Sequence, residues 1–138
     1  MPAKQTNPRR ASKSSQETMR NHSWEQQTAA WLLRDGWEVF WPMTDVGQKT
    51  DFLISDGKVY HRIQVKALES NTYSKVIKNT WGRTKPKCDY VIIVLKGCGR
   101  GLCFPSSLAT GAGVNLETAS FQRFSQDFHS FIEAFRRI

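Results

Sequence analysis

The spacing of hydrophobic and polar positions changes several times along the chain, and each change predicts an element. Over residues 23–34, Trp24, Thr28, Trp31 and Leu32 fall at i, i+4, i+7 and i+8, one face of a helix. Ser23 and Gln26 match the S-x-x-Q capping box, and Gly36 suits the position just past the helix end. Residues 37–41 predict a short strand stopped by Pro42. Residues 50–66 read as a hairpin, with Asp56-Gly57 between two hydrophobic runs. Residues 89–95 are a continuous apolar, β-branched run, which predicts a strand buried on both faces. Residues 102–104 begin another strand ending at Pro105, and Ser106 or Ser107 can cap a short helical turn after it. Residues 110–118 read as a loop. Residues 120–137 predict a last helix, with Phe121, Phe124, Phe128, Phe131, Ile132 and Phe135 as its apolar stripe. Helix, three strands, loop, buried strand, strand, helix is an α/β order. It predicts a mixed sheet of about four to five strands flanked by helices.

The hairpin carries candidate chemistry. If Ser55 pairs with Lys58 across the turn, Asp51 lies opposite Arg62. Asp51, Arg62, Gln64 and Lys66 then share one face, and Phe52, Ile54, Val59, His61, Ile63 and Val65 share the other. A slip of one residue would mix the two faces. Carboxylate and amide oxygens both ligate a hard cation such as Mg²⁺, with Mn²⁺ as a substitute. A lysine beside them can orient or deprotonate an attacking water, or stabilise charge at a phosphoryl transition state. An amphipathic hairpin with a polar outer face fits the same spacing equally well. Asp45 is a rival acid that lacks the strand context.

Composition narrows the partner. The chain has 138 residues, enough for one domain, and 39% hydrophobic content predicts a packed core. Its net charge is +8, and its pI is about 9.7. That excess points to a polyanion, and to nucleic acid before membrane, because no basic amphipathic helix is visible. With no long apolar run, no signal peptide and an odd number of cysteines (Cys88, Cys98 and Cys103), the expected setting is cytoplasmic with reduced thiols. No histidine completes a zinc set with Cys98 and Cys103, and His61 and His129 read as structural. The glycines at 97–101 have the wrong spacing for a phosphate loop.

Residues 1–22 form a basic polar segment, expected to be a flexible arm in which Arg9 and Arg10 contact DNA, ahead of a domain at 23–138. Residues 67–87 are expected to form a basic loop, with Lys75, Lys78, Arg83, Lys85 and Lys87 on phosphates and Tyr73 and Trp81 interleaved. Gln48, Lys49 and Arg62 border the candidate site and join the DNA-contact set.

Asp51 followed by Gln64-Val65-Lys66 resembles the D…(D/E)-X-K signature of the PD-(D/E)XK nucleases, and Glu25 stands where many members carry a helical glutamate. The motif likeness spans residues 23–68, and the strand order extends it to Pro105. Within that superfamily the chain resembles group I intron-associated homing endonucleases, some of which carry Gln at this position, and archaeal Holliday junction resolvases. The chain departs from the pattern in having Gln64 in place of an acid and Pro42 remote from Asp51. The resemblance implies a restriction-endonuclease-like core and Mg²⁺-dependent hydrolysis of DNA. Asp51, Gln64, the Val65 carbonyl and Glu25 would hold the metal, and Lys66 would serve the attacking water. Cutting both strands with one site per chain implies a homodimer or homotetramer. A homing-type endonuclease is the first reading and a junction resolvase the second. A catalytically inactive DNA-binding protein on a nuclease scaffold is the alternative from another class. An RNA-binding accessory role lacks an exposed aromatic pattern.

Overall fold

The computed structural model describes residues 10–44, 48–82, 85 and 87–138. Arg9, Asp45 and Arg83, all named above, lie outside the described residues. Helix α1 is Lys13–Arg34, and strands β1 (Glu38–Phe40), β2 (Phe52–Ser55), β3 (Tyr60–Leu68) and β4 (Val76–Lys78) follow. Then come β5 (Tyr90–Leu95), β6 (Arg100–Pro105), β7 (Gly113–Asn115), β8 (Gln122–Ser125) and helix α2 (Phe128–Phe135). The main sheet has six strands in the order β1-β2-β3-β5-β6-β8, and β4 and β7 form a separate pair. Among the described residues only β3 and β5 run parallel, joined by the crossover that contains β4.

Each face of the sheet has its own core. On one face, Ala29 and Leu32 of α1 and Phe131, Ile132 and Phe135 of α2 pack on Phe52, Ile54, Ile63, Val65, Ile92 and Val94. On the other, Val91, Ile93, Leu95, Leu102 and Phe104 are covered by Tyr73, Ile77, Trp81, Val114, Leu116 and Phe121. This explains why residues 90–95 carry almost no polar side chains: both sides of β5 are roofed. The second cover spans β5 and β6. Beside it, on the same face, β3 presents Arg62 exposed and Gln64 and Lys66 half-buried.

Several predicted boundaries move. The first helix starts at Lys13, capped by Ser12, whose side chain accepts from the Ser15 N–H. Ser23 is inside the helix and bonds back to the Arg20 carbonyl, so the S-x-x-Q pattern is not a cap. Residues 13–22, assigned above to the arm, are therefore helical. The hairpin pairs Ser55 with Tyr60, not Lys58, and Leu53, not Asp51, faces Arg62. The reason is local: the Asp56 carboxylate accepts from the N–H groups of both Lys58 and Val59, which holds a wider turn with Gly57 at φ 97°. The same two hydrogen bonds hold the Asp56 pKa below its ordinary value. The shift is two residues, so the division of the β3 side chains between faces survives. Val59 alone leaves the apolar set, and is exposed in the turn.

The last helix is shorter than predicted, and β8 makes the sheet six strands wide instead of four to five. Phe121 and Phe124 stand three apart, a spacing that suits a helix but in extended chain sends two side chains to opposite faces. They enter different cores. Asp127 then caps α2 through the Ser130 N–H. Residues 67–87 are not a structureless loop either: β3 continues to Leu68, and β4 pairs with β7 inside the segment read above as a loop.

Gly101 sits where β8 crosses β6. A Cβ there would collide with the Ile93 carbonyl oxygen and the Phe124 ring. Gly101→Ala is expected to cost about 1–3 kcal/mol by overpacking, measured by urea unfolding. Burial raises the pKa of Cys88 and Cys103 to about 12. A thiol-alkylating reagent at mildly alkaline pH is therefore expected to label Cys98 in the folded protein, and the other two only after unfolding.

Candidate metal and phosphate site

The site is built where β2 stops and β3 continues. Pairing of the two strands ends at Phe52 and Ile63. One residue earlier, the Asp51 N–H donates to the Ile63 carbonyl at 2.8 Å. The Asp51 carboxylate then accepts from the Val65 N–H at 2.6 Å. A side-chain oxygen thus takes the place that a main-chain carbonyl would hold in the next rung. Charge-assisted bonds of this kind are short and fix the carboxylate in place. It lies against the backbone between Gln64 and Lys66, so those two residues flank it.

Two further oxygens meet there. In a strand, the N–H and C=O of one residue point to the same side. Since the Val65 N–H points to Asp51, its carbonyl points into the same gap beyond β2. The Gln64 Nε2 donates to that carbonyl at 3.3 Å, which brings the amide to the same place. The amide orientation is assigned from this bond. Gln64 Oε1 is then left buried, with no hydrogen-bond partner among the described residues. An unsatisfied buried amide oxygen costs about 1–3 kcal/mol, and a hard cation would satisfy it. Carboxylate, main-chain carbonyl and amide oxygens, as on Asp51, Val65 and Gln64, are the donor types that Mg²⁺ or Mn²⁺ accepts, and these ions retain waters and need few protein ligands.

Lys66 projects from the face that carries Arg62 and Gln64. Burial lowers its pKa below the ordinary lysine value, and the charges of Lys49 and Lys75 lower it further. Those two residues enter from separate segments, Lys49 just before β2 and Lys75 just before β4. Lys49 takes a left-handed backbone, φ 54°. The approach of three lysines is unfavourable in the free protein and suits a bound polyanion.

Glu25 sits on the α1 face that carries the buried Thr28, Ala29 and Leu32, which packs on the opposite side of the sheet from Lys66. Its carboxylate meets His22 Nδ1 at 3.5 Å. Among the described residues no three His, Cys, Asp or Glu side chains gather around a common point. Of the predicted DNA contacts, Gln48, Lys75, Lys78, Lys85, Lys87, Arg62 and Arg10 are exposed, and Lys49 is half-buried. The segment with Lys85 and Lys87 is tied to the site by the Thr50 hydroxyl, which donates to the Lys87 carbonyl at 3.0 Å. Tyr73 and Trp81 do not join the exposed set. They are core residues at 7% and 0% exposure, because the two-strand cover needs apolar ballast beneath it. Of the site residues named from the sequence, Asp51, Gln64 and Val65 are joined by hydrogen bonds, and Lys66 follows on the same strand. The approach of Lys49 and Lys75 to Lys66 required the crossover, which no local pattern specifies.

No family model and no curated protein matches the chain. Among solved structures, a bacterial homing endonuclease, I-Ssp6803I, superimposes with a TM-score of 0.54 at 18% identity, over 70% of this chain and 75% of that one. The likeness is one of fold: a mixed α/β architecture with a mostly antiparallel sheet and two helices. No helix among the described residues is long and apolar enough to cross a membrane.

At neutral pH the Lys66 ammonium is held in the folded state at a cost, so its removal should not destabilise. Lys66→Met is expected to leave the urea midpoint unchanged or raise it. A clear drop would show that the ammonium has a stabilising partner.

Proposed function

We propose that the chain is a metal-dependent DNA endonuclease of homing type, hydrolysing phosphodiester bonds in duplex DNA. The observation that carries this reading is the Asp51 carboxylate bonded to the Val65 N–H, between the orphaned amide oxygen of Gln64 and Lys66. The fold shared with a bacterial homing endonuclease supports it. So does a net charge of +8.

Asp51, the Val65 carbonyl and Gln64 Oε1 would hold Mg²⁺. When bound, the cation would neutralise charge on the phosphoryl oxygens and make water easier to deprotonate. Lys66 would orient the attacking water or meet the charge that develops on phosphorus. Lys49 and Lys75 would hold the flanking phosphates. Arg62, Lys78, Lys85 and Lys87 would extend that contact along the backbone, and Arg10 would add one from ahead of α1. Glu25 would act by coming round the open edge of β3, directly or through a water. Each chain supplies one such site, so cutting both strands calls for at least two copies.

Gln64 favours a second reading. An amide in place of a carboxylate removes one negative charge from the cation site, as in a DNA-binding protein that keeps the scaffold without the chemistry. The test is nicking of supercoiled plasmid and of a synthetic four-way junction with Mg²⁺, Mn²⁺ or EDTA. Metal-dependent cutting is expected, reduced about 10²-fold or more by Asp51→Ala and by Lys66→Ala. A preference for the junction would move the reading to a resolvase. Cutting that persists in EDTA or in both variants would overturn it. Binding without cutting of either substrate would favour the inactive scaffold.

A further inference from the structure

The open face carries a second feature, one row of residues away from the metal set. Phe40 pairs with Leu53, and Leu53 with Arg62, so the three side chains lie side by side across β1, β2 and β3. Arg62 and Gln64 are two residues apart on β3, about 6.6 Å along the strand. That distance is within the span of one nucleotide. Phe40 and Tyr60 meet at a tilt of 54°, with ring centroids 5.8 Å apart. Together with Trp41 they line a groove of about 560 Å³ whose polar rim includes Gln48, Arg62 and Asp89. Phe40, Trp41 and Tyr60 are 39%, 45% and 59% exposed as residues. None of the three belongs to either core, and Trp41 alone touches a core ring, Phe52, at a centroid distance of 5.2 Å.

Exposed aromatic rings gathered in one groove on a basic face suit an occupant that is flat, apolar on its faces and attached to negative charge. We infer that this groove receives an unstacked nucleobase of the DNA whose phosphate lies at Asp51 and Lys66. The inference rests on the nuclease reading and adds a substrate class to it: DNA that is locally unpaired or readily distorted at the cut. Phe40 and Tyr60 would stack the base. The amide of Gln48 and the guanidinium of Arg62, which has no ion pair among the described residues, would meet its edge. The Asp89 carboxylate is already committed through one oxygen to the Arg62 N–H at 2.7 Å, which fixes the wall of the groove. Lys49, near Lys66, supplies positive charge where the attached backbone would run. A second copy of the chain is the rival occupant, since β1 is an edge strand. The polar rim and the alignment with the metal set favour the base.

The test uses the full chain in EDTA, so that binding is read without cutting. Two otherwise identical duplexes are compared, one fully paired and one with a single bulged 2-aminopurine. The wild type is expected to bind the bulged duplex at least about tenfold more tightly, with quenching of the 2-aminopurine emission as it stacks. The double variant Phe40→Ala/Tyr60→Ala is expected to lose both the preference and the quenching, while keeping its affinity for the paired duplex. Phe40→Leu/Tyr60→Leu, which keeps apolar bulk, guards against loss of fold and should show the same loss. Equal affinity of the wild type for both duplexes would overturn the inference. So would variants that keep the preference but change from oligomer to monomer by light scattering, which would make the groove an interface between copies. Failure of the nuclease reading would be seen separately, as binding with the preference intact but no cutting in Mg²⁺.

Discussion

The site depends on one hydrogen bond, from the Val65 N–H to the Asp51 carboxylate. β3 is the longest strand and extends past its partner β2, which leaves main-chain groups without a rung to join. Asp51 fills the first of these places with a side chain. In doing so it fixes a charge at the edge of the sheet, between Gln64 and Lys66. Had β2 continued by another pair, a main-chain carbonyl would take the Val65 N–H and the carboxylate would be free to turn to solvent. The end of one strand is thus what creates the site.

The rest of the fold holds that gap open. β5 fixes β3 from the other side as its parallel partner, with its own residues buried on both faces. The helices roof one face of the sheet, and the β4–β7 pair roofs half of the other. The remaining half, over β1, β2 and β3, carries the lysines and the aromatic groove. The orphaned oxygen of Gln64, the lowered pKa of Lys66 and the left-handed Lys49 lie here, while Trp24 Nε1, Asn79 Oδ1 and Trp81 Nε1 are buried elsewhere without a hydrogen-bond partner among the described residues. A cation would satisfy the Gln64 oxygen, and a phosphate would offset the crowding of Lys66 by Lys49 and Lys75.

Much of this was legible in the residues. Alternation around Asp56-Gly57 placed Gln64 and Lys66 on one face of β3, and an error of two residues in the turn left that division intact because strand faces repeat with period 2. The apolar run at 90–95 announced a strand covered on both sides. The end of the chain was ambiguous, because phenylalanines three and four apart satisfy a helix and also two cores reached from a strand. Asp127 decides it by capping α2 late. Tyr73 and Trp81 were misread for the opposite reason. Basic neighbours made them look exposed, and only the pairing of β4 with the distant β7 shows that they are buried. Glu25, expected near the start of a helix at 23–34, lies in the middle of α1, and its relation to Asp51 depends on how α1 crosses the sheet, which periodicity does not encode.

The most direct test of the account is a Mn²⁺ titration of the DNA-free protein, followed by loss of the free-ion electron paramagnetic resonance signal. The wild type, Asp51→Asn and Gln64→Glu are compared, the last because it restores the carboxylate that the resemblance leads one to expect. The account predicts one saturable site per chain, weakened at least about tenfold by Asp51→Asn and strengthened by Gln64→Glu. Binding that is indifferent to both substitutions would contradict it, because the cation would then lie somewhere other than the end of β2.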